Sequence, residues 1–141
     1  MGKPHKRLEA WRKSMDLVVL IYQATKNFPA EERFGLVRQR RRAAVSVPSN
    51  VAKGAARGSP RFFTSTLQIA RASLSELDTQ IILAHRLGYL SENDAVRLTS
   101  CVEEIKRVVN GLISSVRRRL AASVAASVLV IALSLYHFVT L

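Results

Sequence analysis

The sequence predicts an all-α protein: an antiparallel up-and-down four-helix bundle with a kinked second helix and an apolar C-terminal helical tail. Three observations predict it. Apolar residues recur at steps of three and four through three long segments. The links between segments are short and built from helix stop and start residues. No segment carries a competing β pattern.

A basic lead-in over residues 3–13 (KPHKRLEAWRK) merges into the first helix. Leu8, Trp11, Met15, Val18 and Tyr22 form its heptad stripe, widened by Leu17, Val19, Leu20 and Ile21. Asn27-Phe28-Pro29 ends it, because the residue before a proline avoids the helical region. The second helix is expected to open at about Ala30, with Glu31 and Glu32 in its first turn where the helix dipole favours negative charge. Its apolar residues are mostly small, which lets a neighbour approach closely. Pro48 lies inside its helical pattern, removes one backbone donor and should kink it. Gly54 and Gly58 are expected to loosen and then stop it.

Ser59-Pro60 opens the third helix, serine as N-cap and proline in the first turn. Its stripe is the clearest: Phe63, Leu67, Ala70, Leu74, Leu77, Ile81 and Ala84, closed by Gly88. Ser91 to Asp94 has capping-box spacing, and the fourth helix follows through Ala95, Leu98, Val102, Ile105, Val109, Leu112 and Val116. Stripes of this kind with short connections define an antiparallel bundle over residues 1–119.

Residues 120–141 form a second unit. They contain no Asp, Glu, Lys or Arg, and as a helix they would reach about 33 Å, enough to cross a hydrocarbon core. Arg117, Arg118 and Arg119 precede them, as the positive-inside rule would place them. Ala122/Ala126 and Ser123/Ser127 have the small-residue spacing of helix pairs in lipid. The alternative is an extension of the fourth helix buried in an oligomer.

The chain carries a formal net charge of +12. The excess lies in the first half: residues 1–61 hold 14 Lys/Arg and 4 Asp/Glu, a net of +10, against 8 and 6 in the remainder. Such an excess suggests a polyanionic partner, nucleic acid or an anionic membrane surface. The single cysteine, Cys101, allows no intrachain disulfide, which fits a reducing cytoplasm. The N-terminus has no apolar run and so no secretory signal.

No catalytic constellation is visible. His5, His85 and His137 lie far apart, none with a ligand partner at helical spacing. The carboxylate pairs are adjacent or two apart and do not share a helix face. Neither metal nor cofactor is expected. Glu76, beside Leu77, is expected to be buried and paired with an arginine of the second helix.

The stretch Gln39-Arg40-Arg41-Arg42-Ala43-Ala44-Val45-Ser46-Val47-Pro48-Ser49-Asn50-Val51-Ala52-Lys53-Gly54 resembles the most recognisable run of the 23S ribosomal RNA intervening-sequence proteins, which reads roughly QLRRAAVSIPSNIAEG. Phe28-Pro29, Ser73-Leu74-Ser75-Glu76-Leu77 and Leu87-Gly88-Tyr89-Leu90 are similar to further parts of that family, and the resemblance spans about residues 8–116. It implies an antiparallel bundle assembled into a pentameric ring. The accessory variability determinant of diversity-generating retroelements belongs to the family; that member has a basic surface, binds nucleic acid and contacts a reverse transcriptase. Pro48, Asn50, Gly54 and Glu76 are the structural residues of the motifs. Two positions depart from the pattern. Arg40 stands where an apolar residue is usual and Lys53 where Glu is usual.

The expected function is therefore a non-enzymatic, ring-like homo-oligomer. It would bind RNA or DNA non-specifically, as an accessory or scaffold to a partner such as a reverse transcriptase. Arg38, Arg41 and Arg42 share one broad helix face, while Arg40 points elsewhere. Arg57 and Arg61 continue the charge through the turn, with Lys53 on the second helix and Arg12 and Lys13 from the first. These nine are the expected phosphate contacts. Few aromatics are left over from the core for stacking bases. The rival reading is a membrane-anchored interaction module, held by residues 120–141, whose basic half faces anionic lipid or serves assembly.

Overall fold

The computed structural model describes residues 3–139. A short 3-10 turn (Pro4–Arg7) leads into α1 (Glu9–Ala24), followed by a second 3-10 turn (Ala30–Arg33), α2 (Leu36–Arg57), α3 (Pro60–Arg86) and α4 (Glu92–Val139). α1 packs on α2 and α4, and α3 packs on α2 and α4, so the helices form a closed square with α1 and α3 on one diagonal. The last two residues of the predicted tail lie outside the described residues.

The local signals act as read. Ser59 Oγ accepts from Phe62 N at 3.3 Å and caps α3, with Pro60 as its first residue. Ser91 Oγ accepts from Asp94 N at 3.1 Å at the start of α4. Gly58 closes α2 with a φ of 73°. Gly88, with a φ of 77°, closes α3 through two bonds: Tyr89 N donates to Ala84 O at 2.9 Å and Gly88 N to His85 O at 3.0 Å. Both are left-handed positions that favour glycine.

Three expectations are corrected. α2 opens at Leu36, not Ala30. The chain makes the separate 3-10 turn and changes direction at Phe34-Gly35, and Glu32 reaches forward so that its Oε2 accepts from Leu36 N at 3.0 Å. The acidic residue thus caps the helix from outside. The buried face of α1 is Ala10, Ser14, Leu17 and Ile21, one position round from the predicted stripe. Leu8, Trp11 and Val18 are flanking contacts, and Met15 and Tyr22 are exposed. Alanine and serine carry little hydropathy signal, yet they let α1 sink between its neighbours. Gly54 does not loosen α2. It is buried inside a continuous helix, and a Cβ there would lie 2.1 Å from Thr66 Oγ1 and 2.5 Å from Phe63 Cδ2. α2 and α3 approach closely there.

α2 is bent at Pro48, which leaves Ala44 O without its usual amide donor. The side chains that follow bond the neighbouring carbonyls. Ser49 Oγ donates to Val45 O at 2.8 Å, and Asn50 Nδ2 donates to Ser46 O at 2.8 Å and to Ser46 Oγ at 3.1 Å. Ser73 Oγ on α3 donates to the same Ser46 Oγ at 2.9 Å. The stretch from Ser46 to Asn50 therefore bends the helix, braces the turn beside the bend and ties it to α3. Asn50→Leu is expected to cost about 1 kcal/mol in a urea melt, because two part-buried acceptors on Ser46 lose a donor. An unchanged midpoint would show the bend holds without it.

Candidate nucleic-acid interface

No Asp or Glu occurs between Glu32 and Glu76, so all of α2 and the first half of α3 lack negative charge. On the α1/α2 face this produces an open groove of about 680 Å³. Its charged lining is cationic: Arg33 from the turn, then Arg38, Arg41 and Arg42 from α2. Its apolar lining includes Tyr22 and Phe34, 42% and 77% exposed. The Arg41 guanidinium lies 4.4 Å from the Tyr22 ring centroid, and its Nε donates to Thr25 Oγ1 at 3.0 Å. The Arg33 guanidinium stands 5.8 Å from the Phe34 ring. These are cation–π contacts at an exposed surface.

The predicted set is divided by the structure. Arg38, Arg41 and Arg42 share the groove as expected. Arg57 and Arg61 sit at the α2–α3 turn, about 24 Å further along the helix axis by the rise from Arg41 to Arg57. Arg57 covers the Phe62 ring at 4.4 Å. Lys53 is exposed on α2 between the two groups. Arg12 is exposed on α1, and its Nη1 donates to Arg7 O at 3.1 Å. Lys13 bonds Glu104 and lies 3.7 Å from Glu9. The hydrogen bond to Glu104 raises the Lys13 pKa and lowers that of Glu104, so the charge is engaged within the bundle.

Arg40 is a correction. It is fully buried, with Nη2 donating to Gln80 O at 2.6 Å and the guanidinium 5.2 Å from the Phe28 ring. Nε and Nη1 have no partner. Burial pushes its pKa down to about 10, so it stays charged at neutral pH but offers nothing to a surface ligand. Glu76 is the second correction. It is exposed and pairs with no arginine; its Oε1 accepts from Gln80 Nε2 at 2.9 Å. It lines a cleft with Arg42 without an ion pair. Among the described lysines and arginines, Lys13 and Lys106 make the ion pairs.

Three groove residues were missed by sequence reasoning. Tyr22 sat on an apparent core stripe, Phe34 in the apolar pattern of a longer helix, and Arg33 apart from the arginine run. Only the early break before α2 brings Arg33 and Phe34 beside Tyr22. No group of three or more His, Cys, Asp or Glu side chains gathers as a metal site among the described residues.

Fold and groove together define a basic helical bundle with an aromatic-flanked arginine surface. The chain belongs to the 23S rRNA-intervening sequence protein family, whose profile matches residues 6–111. Its fold is similar to that of a protein of unknown function from the S23 ribosomal protein family of Bacteroides thetaiotaomicron. That similarity has a TM-score of 0.69 at 22% identity, and covers 74% of this chain and 95% of the other. No curated protein matches the chain.

Proposed function

We propose that the chain is a non-enzymatic scaffold that binds nucleic acid through the α1/α2 groove without reading its sequence. The observation that carries this is the groove lining: four arginines, two exposed aromatics and no carboxylate. Arginines there neutralise phosphates, and rings beside them offer a face to an unpaired base. The test is fluorescence anisotropy of the full chain with a labelled single-stranded RNA and a DNA duplex across a salt series. The expected result is an affinity that falls linearly on a log–log plot. Changing Arg33, Arg38 and Arg42 together to Gln should make that slope shallower by about 2 to 3. No binding at low salt, or an unchanged slope, overturns the reading.

Assembly into a homo-oligomeric ring, pentameric by the family resemblance, is part of the same proposal. Supporting it, apolar side chains are exposed on both members of one diagonal: Met15 and Val19 on α1, Ile69 and Ile82 on α3. Two different surfaces on opposite helices make a head-to-tail contact, the kind that closes rings. Met15→Glu with Val19→Glu is expected to give a monomer by sedimentation velocity. A variant that keeps the wild-type sedimentation coefficient overturns it. A reverse transcriptase is the partner to test for capture by the ring.

A further inference from the structure

We propose that α4 leaves the bundle to cross a lipid bilayer, and that a cationic collar around its exit seats the bundle on anionic headgroups. Buried residues on α4 end at Val116, and the helix runs on unbroken to Val139. Every residue from 121 to 139 is exposed, and the most apolar window of α4 has a mean hydropathy of 2.0. From residue 120 to 139 the rise is about 30 Å, the thickness of a hydrocarbon core. A helical partner would cover one side. Here Val128, Leu129, Val130 and Ile131 are all exposed, and at about 100° per residue they point in four directions. Apolar surface on the whole circumference fits lipid. The Ser127 hydroxyl donates to Ser123 O at 3.0 Å, so it carries its own partner into an apolar medium.

The exit of this helix is where the tertiary structure gathers positive charge. A hollow of about 290 Å³ is lined jointly by Pro4 and Leu8, the turn Gly58-Ser59-Pro60, and Leu112, Val116 and Arg119 of α4. The N-terminal turn, the α2–α3 turn and the start of the apolar helix are therefore at one level. The first of these contributes exposed Lys3, Lys6 and Arg7. The second contributes exposed Arg57 and Arg61, and α4 contributes Arg117–Arg119. None of these cations makes an ion pair among the described residues. Glu9, the one nearby carboxylate in sequence, faces Lys13. Residues 112–139 contain no glycine or proline, so the helix has no hinge that would let the collar stand away from the surface. Clustered Lys and Arg beside a spanning helix are what anionic headgroups attract.

The test uses the full chain with Cys101→Ser and a fluorophore on either Ala56→Cys, at the collar, or Asn93→Cys, at the other end. Vesicles contain phosphatidylcholine alone or mixed with phosphatidylglycerol, each with a headgroup spin label as quencher. The chain is expected to float with both vesicle types and to resist alkaline carbonate. Quenching of the label at 56 should be at least twofold stronger in the anionic vesicles, and the label at 93 should be unquenched in both. Val130→Arg with Leu133→Arg should abolish carbonate resistance while leaving the melting curve unchanged, since neither residue touches the bundle. Lys6→Gln with Arg7→Gln and Arg117→Gln, three exposed collar cations, should remove the dependence on lipid charge and leave the RNA salt slope unaltered. A chain that stays out of vesicles overturns the proposal, as does equal quenching at the two positions. If the collar variant lowers the RNA slope and leaves quenching unchanged, the collar belongs to the nucleic-acid surface and the proposal also fails.

Discussion

Gly54→Ala is expected to destabilise the bundle by about 2 kcal/mol, and Gly54→Leu to prevent folding. Helix propensity alone predicts the opposite sign for alanine, a gain of about 1 kcal/mol in a helix interior. The packing decides otherwise. The new Cβ would stand 2.1 Å from Thr66 Oγ1, 2.5 Å from Phe63 Cδ2 and 3.2 Å from Phe63 Cα. Thr66 Oγ1 is tied to Phe63 O at 3.0 Å and buried, so it cannot turn away without losing a bond. Moving α3 as a unit would open the contact with Ala43, Ala44, Val47 and Val51, the small core residues that let the helices meet closely. Overpacking of this kind costs about 1–3 kcal/mol. Chemical denaturation of Gly54→Ala, Thr66→Ala and the double variant gives the check. A coupling of at least about 1 kcal/mol is expected between the two sites. A Gly54→Ala protein that melts higher than wild type would show that the helices are not in close approach there.

Arg40→Met is expected to stabilise the protein by about 2 kcal/mol, a rise in Tm of roughly 5–10 °C. The guanidinium is fully buried and faces no carboxylate. It makes one hydrogen bond, to Gln80 O, and a cation–π contact with Phe28, while two of its nitrogens go unbonded. These contacts do not offset the loss of water, which is why its pKa falls from the ordinary arginine range to about 10. That fall corresponds to roughly 3 kcal/mol of lost preference for the charged form. The sign follows from proton counting. Below about pH 10 the residue is charged in both states and the cost is constant. Above about pH 10 the folded chain releases the proton while the unfolded chain still holds it, so the cost shrinks as pH rises. The stability difference between Arg40→Met and wild type should therefore be flat from pH 6 to 9 and narrow above pH 10. A less stable Arg40→Met protein would mean that the Gln80 and Phe28 contacts outweigh desolvation.

Arg40 and Glu76 show where sequence reading stops. A run of three arginines reads as three surface charges, and a glutamate beside a core leucine reads as a buried partner. The helix phase separates Arg40 from its neighbours, and this was legible. That the separated direction is inward was not, because charge biases against burial. The α1 stripe failed for the complementary reason: Ala10 and Ser14 are core by size, and hydropathy does not register size. The groove was half legible. Arg38, Arg41 and Arg42 follow from helical phase, whereas Tyr22, Phe34 and Arg33 depend on the break between the 3-10 turn and α2.

The sequence by itself determined the four helices, their order, most caps and glycine stops, the proline bend, the basic first half and the apolar last 22 residues. These are short-range properties, set by neighbours within one or two turns. The tertiary structure alone decided which arginine is buried, why Gly54 carries no side chain, and which cations stand together. Those outcomes depend on the distance between surfaces of different helices. A difference of one position in helical phase, or of one methyl group in volume, changes them without altering the local pattern.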